Sequence, residues 1–398
     1  MKATPSSATA PSMLIEQLTL TNFLSFGPRA QTITFRPLSV FIGPNGSGKS
    51  NLLEAVDLLR SAPDQLAKPI REGGGVADWI WKGEPKSRSA SIDAVLTNAT
   101  GPASLRYVMS FAEAAQRFQV IDERIESAAS GLGQEQPHVY YSFKDGNPLL
   151  TVKDQPLTLR VHGFDVERSI LAQRRDPDQY PEITYLGTVL PRIRLYREWS
   201  FGRYTPPRLP QKADLPNEHL EPDGSNLGLV LNRLRRDPQV KQKLLTALCA
   251  LYDGIDDFDV QIEGGTVQVF LTEGRFVTPA SRLSDGTLRY LCLLAILCHP
   301  SPPPLICIDE PELGLHPDIL HTLAVLLREA SERTQVIVTT NSDLLVDAMT
   351  DAEGVYVCDK QNAQTSVRQL SRSEFAPWLE RYRLGEPGAR GEIDSSLN

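Results

Sequence analysis

The run Gly43-Pro44-Asn45-Gly46-Ser47-Gly48-Lys49-Ser50 constrains this chain more than any other eight residues. A backbone that wraps a polyphosphate in its N–H groups needs this spacing. The glycines give the tight curl, Lys49 reaches the β- and γ-phosphates, and the Ser50 hydroxyl is placed to ligate Mg2+. The flanks agree. Leu38-Ser39-Val40-Phe41-Ile42 reads as a short strand, and beyond the loop Leu52, Val56 and Leu59 recur at helical spacing, widened by Leu53 and Ala55, until Ala62-Pro63 stops the helix. Strand, glycine loop and helix in that order point the positive end of the helix dipole at the bound anion. A bare strand-to-helix turn would not call for the lysine. Residues Gly43 to Ser50, with Asn51 after them, are therefore the expected ATP contacts.

A loop of this kind needs a carboxylate at the end of a buried strand to hold the metal. Leu305-Ile306-Cys307-Ile308 supplies four apolar residues suited to burial on both faces. Asp309 then emerges as the second expected Mg2+ ligand, beside Ser50, and Glu310 is placed to orient or deprotonate the attacking water. The two carboxylates have another reading, as caps of the next helix. That helix is expected to start near Pro317, too far downstream.

Composition sets the outer bounds. A length of 398 residues has room for about two or three domain-sized units. Apolar residues at 41% and charged residues at 23% are ordinary for a globular chain. The net charge of -8 excludes a globally basic nucleic-acid binder and leaves room only for a local basic patch. Met1–Ser12 lacks the apolar core of a signal peptide and reads as a loose tail, with Met13 an alternative start. The longest apolar run, Tyr290–Cys298, is far shorter than the ~20 residues that cross a bilayer, so a buried helix in a cytoplasmic protein is expected, with no membrane partner. Cys249, Cys292, Cys298, Cys307 and Cys358 form no CxxC pair and are odd in number, which predicts reduced, buried thiols. His316 and His321 lack the flanking carboxylates of a metal site.

Along the chain, strands are expected at Leu14–Thr21, Gln31–Phe35 and Leu38–Ile42, then at Ser91–Leu96, Leu105–Phe111, Phe118–Ile125, Val139–Phe143 and Leu157–Val161, with a turn at Asp145-Gly146. Arg168–Pro222 is crowded with proline, arginine and aromatic residues and reads as an inserted lid. Helices follow at Asn226–Arg235 and Pro238–Tyr252, then a hairpin around Gly264-Gly265. Helix Thr287–Cys298, strand Leu305–Ile308, helix Asp318–Ala330 and strand Gln335–Thr340 alternate, which implies an α/β fold with a mostly parallel sheet. The expected organisation is a tail at 1–12, a first ATPase lobe with a β-rich antiparallel part at 13–165, an inserted lid with helices at 166–250, a second lobe at 251–370 and a C-terminal extension at 371–398.

GPNGSGKS, then Leu283-Ser284-Asp285-Gly286-Thr287, then Ile308-Asp309-Glu310-Pro311-Glu312, then Val338-Thr339-Thr340-Asn341-Ser342 resembles, in that order, the ABC-type ATPases of the RecF/SMC branch, and more narrowly the bacterial RecF-like ATPases. The entry Thr21-Asn22-Phe23-Leu24-Ser25-Phe26 fits that branch, so the similarity runs from about Leu14 to Asp347. The resemblance implies a P-loop ATPase head and a head-to-head homodimer in which Ser284, Asp285 and Gly286 serve the γ-phosphate held by the partner copy. From the residues alone, Ser284 is a good helix N-cap, and that helix start can also face an anion. Two departures stand out. Asp285 replaces a glycine of the usual LSGG form and brings a negative charge near a phosphate. Asn341 sits where many relatives place a switch histidine; an amide can donate a hydrogen bond but cannot take up a proton or carry a charge, so slow ATP hydrolysis is expected. The glutamine of the magnesium shell is left open, Gln65 being an unconvincing candidate.

The resemblance implies work on DNA, in repair. Arg192, Arg194, Arg197, Arg203 and Arg208, interleaved with Tyr196, Trp199, Phe201 and Tyr204, have the composition to pair phosphates and stack bases. The same composition also fits a lid packed on the ATPase core. A regulatory ATPase of an antiphage or toxin system, controlling a separate effector, is the alternative, because no nuclease motif is visible in the chain. A transporter subunit fits poorly, since Lys49 and Ser284 stand more than half the chain apart.

Overall fold

Period-two alternation in the first third of the chain builds one antiparallel sheet. The computed structural model describes residues 13–83, 87–129, 136–144, 146–152, 155–158, 165–349 and 354–384. The expected tail at 1–12, the end of the strand expected at Leu157–Val161, Asp145 of the expected turn and the extension beyond 384 lie outside them. Among the described residues the chain forms two compact units, one within 13–36, 41–193 and 354–384, the other within 37–40 and 194–349.

In the first unit eight strands lie in the order Gln31–Thr34, Ile15–Thr21, Ser89–Leu96, Leu105–Ala114, Arg117–Ser127, Val139–Lys144, Asn147–Val152 and Gln155–Thr158, with antiparallel neighbours throughout. Ser89–Leu96 shows why. Ala90, Ile92, Ala94 and Leu96 are buried while the residues between them are not, so one face packs and the other stays part-solvated. Helix Lys49–Ser61 buries Leu52, Leu53, Ala55, Val56, Leu58 and Leu59 and gives way at Ala62-Pro63. The segment read as a lid contributes two helices to this unit, Ile170–Gln173 and Pro181–Val189. A hairpin, Val355–Gln361 with Gln364–Gln369, was absent from the sequence reading and lies beside the end of strand Leu38–Ile42.

The second unit carries the parallel sheet, in the order Arg194–Tyr196, Leu305–Asp309, Gln335–Thr340 and the start of Leu38–Ile42. Arg194 to Tyr196 therefore correct the lid reading in part. They pair in parallel with Ile306 to Ile308 as a sheet strand. Helix Asp285–Leu297 has every residue from Thr287 to Leu297 buried, as a helix surrounded by protein must be. A smaller antiparallel sheet of Gln211–Lys212, Thr266–Glu273 and Asp257–Glu263, with Phe276–Pro279 on Thr266–Glu273, completes the unit.

Cys292, Cys298, Cys307 and Cys358 are buried, and burial pushes the Cys358 thiol up to about 12 and the Cys298 thiol to about 11, away from reactivity. Cys249 is exposed, against the expectation of burial. It falls at the last residue of helix Pro238–Cys249, which ends before the predicted Tyr252, and its thiol faces the Ile255 carbonyl at 3.0 Å. Among the described residues no helix is long and apolar enough to cross a membrane.

Candidate active site

In the glycine loop, the Lys49 ammonium donates to the carbonyls of Gly43 at 2.6 Å and Pro44 at 3.1 Å. Two of the glycines are required by close approach. A Cβ on Gly43 would stand 2.2 Å from the Cys358 carbonyl oxygen, and one on Gly48, whose φ is 99°, would stand 2.0 Å from Thr365 Oγ1. Helix Lys49–Ser61 starts at Gly48, an N-cap residue with no side chain to offer its first N–H groups. The Ser47 hydroxyl is buried with no hydrogen-bond partner. A helix N-terminus, the Ser47 hydroxyl and a lysine folded back on the loop are a donor set suited to phosphate oxygens. Ser50, exposed at the helix start, offers the hard oxygen that Mg2+ takes.

Thr365, which nothing in the sequence pointed to, holds this loop in shape together with Ser25 and Asn51. Thr365 donates its hydroxyl to the Ser47 carbonyl at 2.8 Å and its N–H to the Ser25 carbonyl at 2.8 Å. The Ser25 hydroxyl lies 2.6 Å from that of Thr365 and accepts from the Asn51 amide at 2.7 Å. Asn51 thus braces the loop through its side chain. The entry Asn22–Phe26 turns through left-handed Asn22 and Leu24, with Phe23 and Phe26 fully buried and Phe23 edge-on to Trp79 at 5.6 Å. The resemblance marked the entry, but nothing local in the sequence marks Thr365.

At the end of strand Leu305–Asp309, the Thr339 hydroxyl donates to Asp309 Oδ1, as the parallel register of the two residues allows. Glu310 follows with φ 46°, a left-handed conformation uncommon for a residue with a side chain. Its N–H donates to the Thr339 carbonyl at 2.9 Å, its carbonyl accepts from Arg289 Nη1 at 2.9 Å, and Asn341 Nδ2 donates to its carboxylate. Glu312 accepts from the Thr340 hydroxyl and, at 3.0 Å, from the Asn341 N–H. Burial raises the Glu312 carboxyl above its ordinary value, while those two donors act against the rise. The other oxygen of Glu312 is buried without a partner. Capping does not use Asp309 or Glu310. The next turn of helix, Pro317–Ile319, is capped by His316, whose ring accepts from the Asp318 N–H.

Ser284 is the N-cap of helix Asp285–Leu297 and accepts from the Thr287 N–H at 3.0 Å. A Cβ on Gly286 would meet the Gly314 carbonyl oxygen at 2.5 Å, so the helix start is fitted to the loop after Glu310. The Asp285 carboxylate pairs with Arg208, which answers the charge problem that the sequence raised. That carboxylate is 71% exposed, so the pair itself is worth at most about 1 kcal/mol.

Arg208 is a correction to the proposed DNA contacts. It is 8% exposed and donates to the carbonyls of Phe201 at 2.6 Å and Leu283 at 2.5 Å as well as to Asp285, so its guanidinium is committed inside the unit. Tyr196 is buried too, with its hydroxyl on the Leu220 carbonyl at 2.9 Å, and Arg194 lies 3.7 Å from Glu221. Trp199 and Phe201 face Arg289, at 5.5 and 5.8 Å from its guanidinium carbon. Arg197 is half-buried; Arg192, Arg203 and Tyr204 are exposed. Gln65 is exposed in the turn before helix Ala67–Glu72.

Two family models match the chain. One, described as "AAA domain, putative AbiEii toxin, Type IV TA system", matches residues 165–347, and one described as "AAA domain" matches residues 17–126. Curated relatives include the chromosome partition protein Smc of Desulfitobacterium hafniense (strain Y51), 33% identical over 98 residues, and that of Halothermothrix orenii, 37% identical over 90 residues. These matches take in 24% and 22% of this chain but only 8% and 7% of the relatives, so the chain spans under a tenth of their length. Among solved structures, an Smc head bound to the C-winged helix domain of ScpA has a TM-score of 0.59 at 17% identity, covering 91% of this chain and 99% of the other. An Smc head with an extended coiled coil from Pyrococcus furiosus, bound to the C-terminal domain of ScpA, gives 0.55 at 14%, covering 93% and 99%. Identities this low bear on the fold alone. The two AAA-domain matches begin before the glycine loop and end past Asn341, and the chain has the P-loop ATPase fold of the Smc heads.

Proposed function

We propose that this protein binds ATP with Mg2+ and hydrolyses it slowly, at sites completed by a second copy of the chain, as a RecF-like ATPase acting on DNA in repair. The observation that carries the hydrolytic part is the pairing of Glu310 with Asn341 just past the carboxyl ends of two parallel strands, beyond the Asp309–Thr339 pair. In this reading Gly43 to Asn51 hold the triphosphate, and Lys49 leaves its two carbonyls for the β- and γ-phosphates. Ser50 and Asp309 hold Mg2+, which supplies charge neutralisation at the phosphates. Glu310 accepts the proton of the attacking water, and Asn341 keeps its carboxylate aimed. Asn341 can neither take up nor release a proton at neutral pH, which supports slow turnover. Ser284, Asp285 and Gly286 face the γ-phosphate of the partner copy.

The shared site makes a sharp prediction. Chains with Lys49→Ala and chains with Ser284→Arg are each expected to be inactive, and their mixture to recover part of the wild-type rate, because one intact composite site forms in the mixed dimer. Recovery is read by phosphate release; a mixture as inactive as its parts would leave Ser284 a helix cap only.

DNA contact now rests on Arg203 and Tyr204, exposed with the guanidinium 5.8 Å from the ring centre, and on exposed Arg192. The test is the ATPase rate with duplex, nicked and single-stranded DNA across salt concentrations. Stimulation that fades as salt rises is the expected result. A second reading, a regulatory ATPase of a toxin or antiphage system, draws support from the toxin–antitoxin description of the family matched over residues 165–347. A rate indifferent to every DNA form at low salt would favour it over repair.

A further inference from the structure

Arg289 stands on the buried helix that begins at Ser284 and is 9% exposed. Its guanidinium carbon lies 5.5 Å from the ring centre of Trp199 and 5.8 Å from that of Phe201, and the two rings stack on each other with centroids 5.8 Å apart. Burial strips water from this cation and lowers its pKa from the ordinary value. The nearby charges of Glu312 and Glu310, the ring faces and one backbone acceptor compensate. That acceptor is the carbonyl of Glu310, at 2.9 Å. Of the non-glycine residues with positive φ, Glu310 is the one that bears the hydrolytic carboxylate in the reading above. A residue with a Cβ stays left-handed only where its surroundings hold it there. Its carbonyl and its Cα–Cβ bond are related through ψ, so a bond that holds the carbonyl restrains where the side chain starts.

We propose that Arg289, held against the stacked rings of Trp199 and Phe201, is a positioning residue for Glu310: by binding its carbonyl it maintains the left-handed turn that aims the carboxylate at the Asn341 amide. The proposal rests on the reading of Glu310 as the group that activates water. It gives the aromatic half of the Arg192–Arg208 stretch a task within the ATPase. It also joins the helix headed by Ser284 directly to the glutamate of the same chain.

Lysine keeps the charge of Arg289 but not the flat fork that packs against the two rings. Arg289→Lys and Trp199→Leu are expected to lower kcat about tenfold or more, with KM and the affinity for a fluorescent ATP analogue within about twofold of wild type. Trp199→Phe, which keeps a ring face, is expected to restore most of the rate. Thermal melts identify any variant that fails to fold, and the two Trp199 variants carry the test if Arg289→Lys does. Folded Arg289→Lys or Trp199→Leu chains that turn over like wild type would overturn the proposal, as would parallel loss of rate and ATP affinity. Glu310→Gln, measured alongside, separates the two ideas. If it is inactive while Arg289→Lys is not impaired, only the clamp is lost; if it hydrolyses ATP like wild type, the reading of Glu310 is lost and the clamp with it.

Discussion

Lys49→Ala is expected to weaken ATP binding by roughly a hundredfold or more, since a charge-assisted contact to phosphate is worth several kcal/mol. In the structure the ammonium is tied to the carbonyls of Gly43 and Pro44 inside a loop otherwise rich in N–H donors. Removing it leaves two acceptors where the loop is proposed to meet the β- and γ-phosphates. The fold is expected to survive. Helix Lys49–Ser61 is anchored by Leu52, Leu53, Val56 and Leu59, and the loop by Thr365, none of which depends on the lysine. Titration calorimetry checks the prediction, and undiminished affinity in a folded variant would remove the assignment of the loop.

Glu310→Gln tests the other half of the chemistry. The amide oxygen of glutamine still accepts from Asn341 Nδ2, so the local geometry is expected to hold while the proton acceptor is lost. Hydrolysis should fall by about 10²- to 10⁴-fold, the range for removing a general base, with ATP affinity retained. The variant should then accumulate as a dimer when ATP is present, because the nucleotide proposed to join two copies is no longer consumed. Light scattering measures this. A monomer in saturating ATP would speak against the head-to-head arrangement.

The readings that depended on a contiguous stretch of chain came through best. Leu38–Ile42, the helix after the glycine loop and Gln335–Thr340 form where spacing and apolar content placed them. The Arg192–Arg208 stretch was harder. Its composition fits nucleic acid and packing equally well, because arginine and aromatic side chains serve both. Burial decides between them residue by residue: Arg208 and Phe201 are inside, Arg203 and Tyr204 outside. Arg194–Tyr196 was illegible as a strand because a three-residue edge strand is too short to show a period. The hairpin Val355–Gln369 was missed because its polar half, with Asp359 and Lys360, interrupts the apolar pattern.

The sequence by itself determined the α/β class, the glycine loop and the order of Ser284, Asp309, Glu310 and Asn341 along the chain, because each is written in adjacent residues whose backbone chemistry is local. Only the tertiary structure decided what supports them. Thr365 reaches Ser47 from 318 residues away, Arg208 neutralises Asp285 from 77, and Asn341 meets Glu310 from 31. Such partners carry no mark of their own. A threonine hydroxyl or an arginine fork acquires its task only when folding sets an unpaired acceptor within about 3 Å of it.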